Sequence, residues 1–455
     1  MVDAHLMNRR GALRLMTQGI AAASLGGLFA GCGPKLVGEP NLTLWHHWTG
    51  KQLAAFDALL ARFQAKYPSA RIEPSHVPAD FLRVRFVAAL KSGLLPDLLG
   101  INSSWLRMPL AEKRLANVGP LAKADELRLP QRLIPRDYER CLIGDSLLAL
   151  PLSSSAGGSM LFSNSQVLTT AGLPPRPKLR TWAEFTAFSS TLVGKLNPDR
   201  STLRCVAWDP FSYNSVQMLV ALSLGAGAPM ISRDGHNSLL KEPGFERVLE
   251  ALDHHIQVVY GPFGGYRALL QWRAQTGELA ITAPKSAFRD GTQAFCMSGA
   301  WFAGELINTT PRPTFEVAPL PGLDGPHGGI AAHGWAVAMR ANPSNPELAW
   351  ALMKYLTIDA EGNGRLCVEA QRPCPIRSVN ESDAYSGMGD VWDSIRQTMA
   401  LDIPYPYSVD SDFLRILGYE FPLRRLRGES LREIIENFHA RLQAHLDGLA
   451  KEGSS

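Results

Sequence analysis

Residues 42–52 read LTLWHHWTGKQ, with His46 and His47 set between Trp45 and Trp48. Such a run could ligate a metal, move a proton, or grip a flat organic ligand between rings and polar groups. Adjacent residues at a strand end point to opposite sides. His46 and His47 therefore cannot converge on one ion as an i, i+4 pair does, and neither H-E-x-x-H nor an acidic cluster lies nearby. Metal binding and acid–base catalysis find no support here, and no metal or other cofactor is expected. Trp45 falls within the strand alternation and is expected in the core. His47, Trp48 and Thr49 lie past the strand end and are candidates for ligand contact.

Nucleophilic and phosphate chemistry find as little. The runs SSSAGG (153–158) and CMSGAW (296–301) lack the G-x-S-x-G elbow. There is no Walker A motif and no G-x-G-x-x-G after a strand. His254 and His255 fall in a helical pattern and are expected to face solvent. A glycosidase carboxylate pair is defined in space rather than in sequence, so an exported glycosidase stays open as a rival. What recurs is aromatic and small polar residues at segment junctions: His47-Trp48-Thr49, Asn102-Ser103-Ser104-Trp105, Ser153-Ser154-Ser155, Trp208-Asp209, Tyr213-Asn214, Trp301 and His333-Gly334-Trp335. An aromatic face fits the C–H face of a sugar ring, and Ser, Asn, Asp and His bond its hydroxyls. Each tryptophan alone more often fills a core than meets a ligand. Their shared location at junctions favours a ligand.

The elements that must position these residues alternate. LTLW is a strand. Leu53, Phe56, Leu60, Phe63 and Tyr67 then mark one helix face, with Thr49 and Gln52 as a capping box. RIEPSHV (71–77) is a second strand, Asp80 can cap a helix through Leu90, and DLLGI (97–101) is a third strand. This β-α-β-α-β run predicts an α/β fold with a mostly parallel sheet flanked by helices. In such sheets ligands sit in the crevice where strands end and helices begin. A helix capped by Thr181 with Glu184 three residues on, further helices at 213–224, 245–259 and 264–276, and strands at 315–322 and 334–339 extend the pattern to a second α/β lobe.

The chain has 455 residues and a net charge of +4, which gives no footprint for nucleic acid. Its start reads as an export leader. Arg9, Arg10 and Arg14 precede a short apolar stretch from Ile20 to Ala30, too short to span a bilayer. NRRGALR resembles a twin-arginine signal, although Ala12 stands where an aromatic is common, so the Sec route stays open. LFAGC resembles a lipobox with Cys32 as the acylated residue, and 33–40 then reads as a tether. Of the five later cysteines, Cys367 and Cys374 are the close pair. Whether they form a disulfide is left open.

Taken in order, LTLWHHWTG, FQAKYP, LLPDLLGINSSWL, GDSLLALPLSSSAGGSMLFSNSQVLTTAGLPPRP, TWAEF, DGTQAFCMSGAW, FEVAPLPG, HGWAVAM, PELAWALMKYL and RPCPIR resemble the family-one extracellular solute-binding proteins of ABC importers, the group that includes maltose-binding protein. The resemblance covers almost the whole mature chain. It implies a two-lobed periplasmic binding protein fold whose chain crosses between lobes near Ser154, Pro321 and Gln371. The segments implied are a signal peptide 1–31, a lipid-anchored tether 32–40, lobe 1 at 41–153, lobe 2 at 154–320, a return to lobe 1 at 321–370, and lobe 2 with the C-terminal helices at 371–455. It implies a monomer, not an enzyme, exported and anchored by lipid to the outer face of the cell membrane, which passes a carbohydrate to permease subunits. Ligand-facing positions carried over are His47, Trp48 and Thr49, Asn102, Ser104 and Trp105, Ser155, Trp208 or Tyr213, Trp301 and His333, with Trp301 the foremost. Maltose-type members carry an acid where Ser155 stands, which puts maltodextrin in doubt. The C-terminal aromatic contact is left among Tyr405, Tyr407 and Phe413. The same fold binding a glycerol-phosphate-like or peptide solute is the alternative; no Arg–Lys phosphate clamp stands at the junctions.

Overall fold

The computed structural model describes residues 41–454 except 109, 212–214, 233–234, 277–285, 326–329, 332–333, 402 and 405–419. The leader with Cys32, and Tyr213, His333, Tyr405, Tyr407 and Phe413, lie outside the described residues.

Along the chain run β1 (Leu42–His46), α1 (Gly50–Lys66), β2 (Ile72–His76), α2 (Ala79–Ser92), β3 (Leu98–Asn102), α3 (Pro135–Glu139), β4 (Ala149–Pro151), β5 (Met160–Asn164), α4 (Trp182–Leu196), β6 (Val206–Trp208), α5 (Pro243–Tyr260), α6 (Tyr266–Thr276), β7 (Gln293–Ser298), α7 (Trp301–Ile307), β8 (Phe315–Ala318), β9 (Trp335–Met339), α8 (Pro346–Thr357), α9 (Arg365–Glu369) and α10 (Leu431–Ser454), with shorter helices between them. Two sheets result. The first has five strands in the order β2-β1-β3-β9-β4, and the second four in the order β8-β5-β7-β6. In the first, β2 and β3 flank β1 in parallel, and β9 lies antiparallel between β3 and β4. In the second, β6 pairs with β7 in parallel, and β5 is antiparallel to β7 and β8.

Each sheet is thus mostly parallel with one reversed strand, and the reversed strand is the one that enters from the other sheet. β5 follows β4 after 152–159 and runs against its new neighbours. β9 follows β8 after 319–334 and does the same. Both sheets have a core of their own. Leu44, Phe56, Phe63, Leu98, Ile101, Val337 and Leu352 fill the first. Phe185, Trp208, Val248, Ile256, Leu269, Phe295 and Ile434 fill one face of the second, and Phe162, Phe302, Phe315, Tyr385 and Trp392 its other face. Strands covered by helices on both faces read as near-continuous apolar runs, as in LLGI and AFCM.

Local chemistry sets the ends. Thr181 and Glu184 form the expected reciprocal cap of α4. At α1 the expected box is absent: Thr49 is the N-cap residue but its hydroxyl makes no capping bond. At α2 the cap position is Pro78, not Asp80. Asp97, at the start of β3, is a buried hub. It accepts from the Thr43 amide and hydroxyl at 2.8 Å each, from the Ser344 amide at 2.6 Å, and pairs with Arg340 at 2.9 Å. Burial would push its carboxyl up, but the hydrogen bonds from Ser344 and Thr43 outweigh that and hold it low. Cys367 and Cys374 are free thiols, and both sulfurs rest on Asn363 Oδ1, at 3.6 and 3.4 Å.

Candidate ligand-binding site

The first sheet ends on a cluster of rings. β1 stops at His46, which turns inward against Phe56 and His76; burial, followed by the charge of His76, lowers its pKa to about 4. His47 points the other way, as adjacent strand residues must. Its imidazole is stacked between Trp48 (centroids 4.9 Å apart) and Trp335 (3.5 Å, interplanar 18°). Burial first, then the positive field of Arg372, holds His47 well below its ordinary range, so it is neutral at pH 7. Trp335 opens β9 directly opposite Asn102 at the end of β3. The Asn102 side chain accepts from the Ser104 amide at 3.0 Å, which folds residues 103–107 into a tight turn. The turn sends Trp105 down beside Phe86 and edge-on to Trp335 at 6.1 Å.

The first crossing lies against this cluster. Gly334 approaches it so closely that a Cβ there would sit 3.2 Å from both the Ser153 carbonyl and the Ser155 Cβ, so only glycine fits without a shift. Ser155 is buried, and both its amide and its hydroxyl donate to Asp137 Oδ1 at 3.0 Å. Arg140 grips the same oxygen.

The second sheet contributes α7. Its approach, Ser298-Gly299-Ala300, is tied to the crossing by the Ala300 amide donating to the Gly157 carbonyl at 2.8 Å. The Trp301 ring lies over Gly299, where a Cβ would come within 2.7 Å of it. Trp301 is half-buried and meets Phe302 edge-on. One turn on, Gly304 packs against the carbonyls of Ala370 and Gln371, where a Cβ would come within 2.7 Å. Glu305 holds Arg289 at 2.9 Å; burial raises its pKa while Arg289 and then Arg372 oppose the rise. Arg372, on the chain leaving α9, lays its guanidinium 5.1 Å from the Trp48 ring.

The structure thus joins His47 and Trp48 from one junction, Trp105 from a second and Trp335 from a third, and it adds Arg372. Several buried polar atoms at these strand ends have no hydrogen-bond partner among the described residues: His47 Nδ1, Trp48 Nε1, Ser104 Oγ, Trp105 Nε1 and Ser298 Oγ. An unpaired buried polar group costs about 1–3 kcal/mol; Trp48 and Trp105 are themselves buried in the first core, at 2% and 7% exposed. Thr49 is exposed at the rim.

Trp208 lies elsewhere. It is 0% exposed, packed edge-on against Trp182 and Phe185 in the second core. Its amide and carbonyl are both taken by the Tyr260 hydroxyl. It is a core residue and faces no cleft. His255 is equally enclosed, bonded to Thr186 at 2.9 Å, and burial lowers its pKa to about 3; only His254 of that pair faces solvent. Among the described residues no group of three or more His, Cys, Asp or Glu could hold a metal ion.

The model of the bacterial extracellular solute-binding protein family matches residues 48–362. The chain belongs to this family. As a solute-binding protein of an extracellular family, it is exported. Among the described residues no helix is long and apolar enough to cross a membrane. No curated protein matches it in sequence. Solved structures do match in fold. The cyclic alpha-maltosyl-1,6-maltose binding protein of Arthrobacter globiformis is similar at 19% identity and TM-score 0.68, over 90% of this chain and 99% of that one. The sugar-binding protein MalE of Xanthomonas citri is similar at 18% identity and TM-score 0.68, over 90% and 97%. An ABC substrate-binding protein of Listeria monocytogenes in complex with cycloalternan is similar at 14% identity and TM-score 0.71, over 89% and 98%. At these identities the likeness establishes the two-lobed periplasmic binding protein fold of the solute-binding protein.

Proposed function

We propose that this protein captures a sugar or oligosaccharide between its two sheets and delivers it to the permease subunits of an ABC importer. The observation that carries this reading is the stacked cluster of His47, Trp48 and Trp335, flanked by unpartnered buried polar atoms at the strand ends. The half-buried Trp301 and Trp335 suit the apolar face of a sugar, and the unpartnered donors and acceptors suit its hydroxyls. The sugar-binding titles of the structural relatives point the same way. Trp301 is the stacking residue offered by the second lobe, and Asn102, Ser104 and Trp105 support the floor. The crossings near Ser154, Pro321 and Gln371 serve in this reading as the hinge that closes the lobes over the solute. The protein acts by binding alone, as a monomer.

A thermal-shift screen against mono- and oligosaccharides tests this. Ligand at 100 times Kd adds about 2.7 kcal/mol, enough to raise the midpoint by several degrees. A panel without a shift, beside a peptide set that gives one, overturns the carbohydrate reading.

Cys32 in LFAGC is proposed as the lipid anchor. Cys32→Ser is expected to move the protein from the membrane fraction to the soluble exported fraction. Equal membrane retention of both forms contradicts the anchor.

A further inference from the structure

Among the described residues two arginines are almost wholly buried, and they are treated differently. Arg273 is 1% exposed and holds both oxygens of Asp209, at 2.7 and 2.6 Å. Arg372 is 8% exposed. Its main chain is fixed, the amide donating to the Cys367 carbonyl at 2.9 Å and the carbonyl accepting from the Tyr385 hydroxyl at 2.6 Å. The Trp48 ring backs the guanidinium at 5.1 Å. A cation on an aromatic face is attracted by the ring quadrupole, but that contact leaves the N–H donors of the fork unused. The guanidinium makes no hydrogen bond and no ion pair with a described residue. Glu305 is the near carboxylate, and it is already committed to Arg289 at 2.9 Å, which matches its charge. Buried charges are ordinarily paired and hydrogen-bonded. For Arg273 the protein supplies the carboxylate. For Arg372 no described residue does.

We propose that Arg372 anchors an acidic group of the solute, and that the solute is a carboxylate-bearing sugar: a uronic acid or an oligosaccharide containing one. This rests on the carbohydrate reading above and narrows it. The position suits the role, because Arg372 lies where the ring cluster of the first lobe meets α7 of the second. A planar guanidinium takes a carboxylate through two parallel N–H···O bonds. One unmatched cation balances one negative charge, which fits a carboxylate rather than a phosphate monoester carrying nearly two. The Trp48 ring lies behind the fork at 5.1 Å and limits its freedom to move.

The test is calorimetry on the full mature protein with three matched series of equal length: glucuronate- and galacturonate-containing sugars, their neutral counterparts, and the corresponding sugar phosphates. The expected result is at least tenfold tighter binding of a uronate than of its neutral partner, with affinity that falls as salt is added. Arg372→Gln is expected to abolish that preference, so that uronate and neutral sugars bind alike, and Arg372→Lys to restore part of it. The thermal midpoint of unliganded Arg372→Gln shows whether the variant folds. Equal affinity for uronate and neutral sugars in the wild type overturns the proposal, as does unchanged uronate binding by Arg372→Gln. A preference for sugar phosphates overturns the carboxylate assignment. Binding of no series overturns the carbohydrate reading beneath it.

Discussion

The imidazole of His47 lies flat on the indole of Trp335, centroids 3.5 Å apart, and so ties the end of β1 to the start of β9. Such a ring pair contributes about 0.5–1.5 kcal/mol beyond the area it buries. Trp335→Ala is expected to lower the denaturant midpoint by that order. It should also weaken sugar binding, because His47 loses the surface that fixes its plane. Retained affinity in a destabilised Trp335→Ala would mean that the ring cluster is packing and not a binding floor.

The buried histidines give the protein a pH limit. His46, His47 and His255 all have pKa values lowered by burial, His46 to about 4 and His255 to about 3. In the unfolded chain each takes up a proton near pH 6.5. Over the window between those values the unfolded state binds more protons, so stability falls as pH falls. The thermal midpoint should hold steady from pH 8 to about 6.5 and decline steadily below it. A midpoint constant from pH 6.5 to 5 would contradict the burial of these rings.

The legible parts of the sequence were those set by local rules. The Thr181–Glu184 cap of α4 involves four neighbouring residues and formed as read. The Thr49–Gln52 pattern has the same spelling, yet the Thr49 hydroxyl makes no cap bond. Strand and helix order followed from apolar periodicity. The reversed strands did not, since direction depends on which sheet a strand joins. Trp208 looked like a junction residue because it ends a strand beside Asp209. Its enclosure comes from Trp182, Phe185 and His255 on distant helices, which periodicity does not place. Arg372 stood in plain view in RPCPIR. Its meaning comes from Trp48, far back in the chain, and no local spacing links the two.

The Arg273–Asp209 pair holds α6 to the end of β6, and Asp209 also accepts from the Phe211 amide at 3.0 Å. Removing one member of a buried pair strands the other's charge, at a cost of about 3–5 kcal/mol. Arg273→Met should therefore lower stability by that order, measured by urea denaturation. A loss under 1 kcal/mol would show that the pair is solvated.

The thiols should differ in reactivity by burial. Cys141, Cys367 and Cys374 are enclosed, and burial pushes Cys141 up to about 12 and Cys374 well above its usual range. The thiolate is the nucleophile, so alkylation of the native protein should mark the half-buried Cys296 first. Mass spectrometry of a time course checks this. Labelling of Cys374 as fast as Cys296 would contradict the closed packing around Asn363.

In the function proposed above, a carbohydrate is held between Trp301 of one lobe and the His47–Trp48 turn of the other. Titration calorimetry of wild type and Trp301→Ala against the sugar selected by the thermal screen tests it most directly. A micromolar Kd corresponds to about −8.2 kcal/mol, more than one stack can supply, so several of these residues must act together. The predicted result is micromolar or tighter binding by the wild type and a loss of roughly tenfold or more, about 1.4 kcal/mol, in a folded Trp301→Ala. Equal affinity in the two proteins would contradict it.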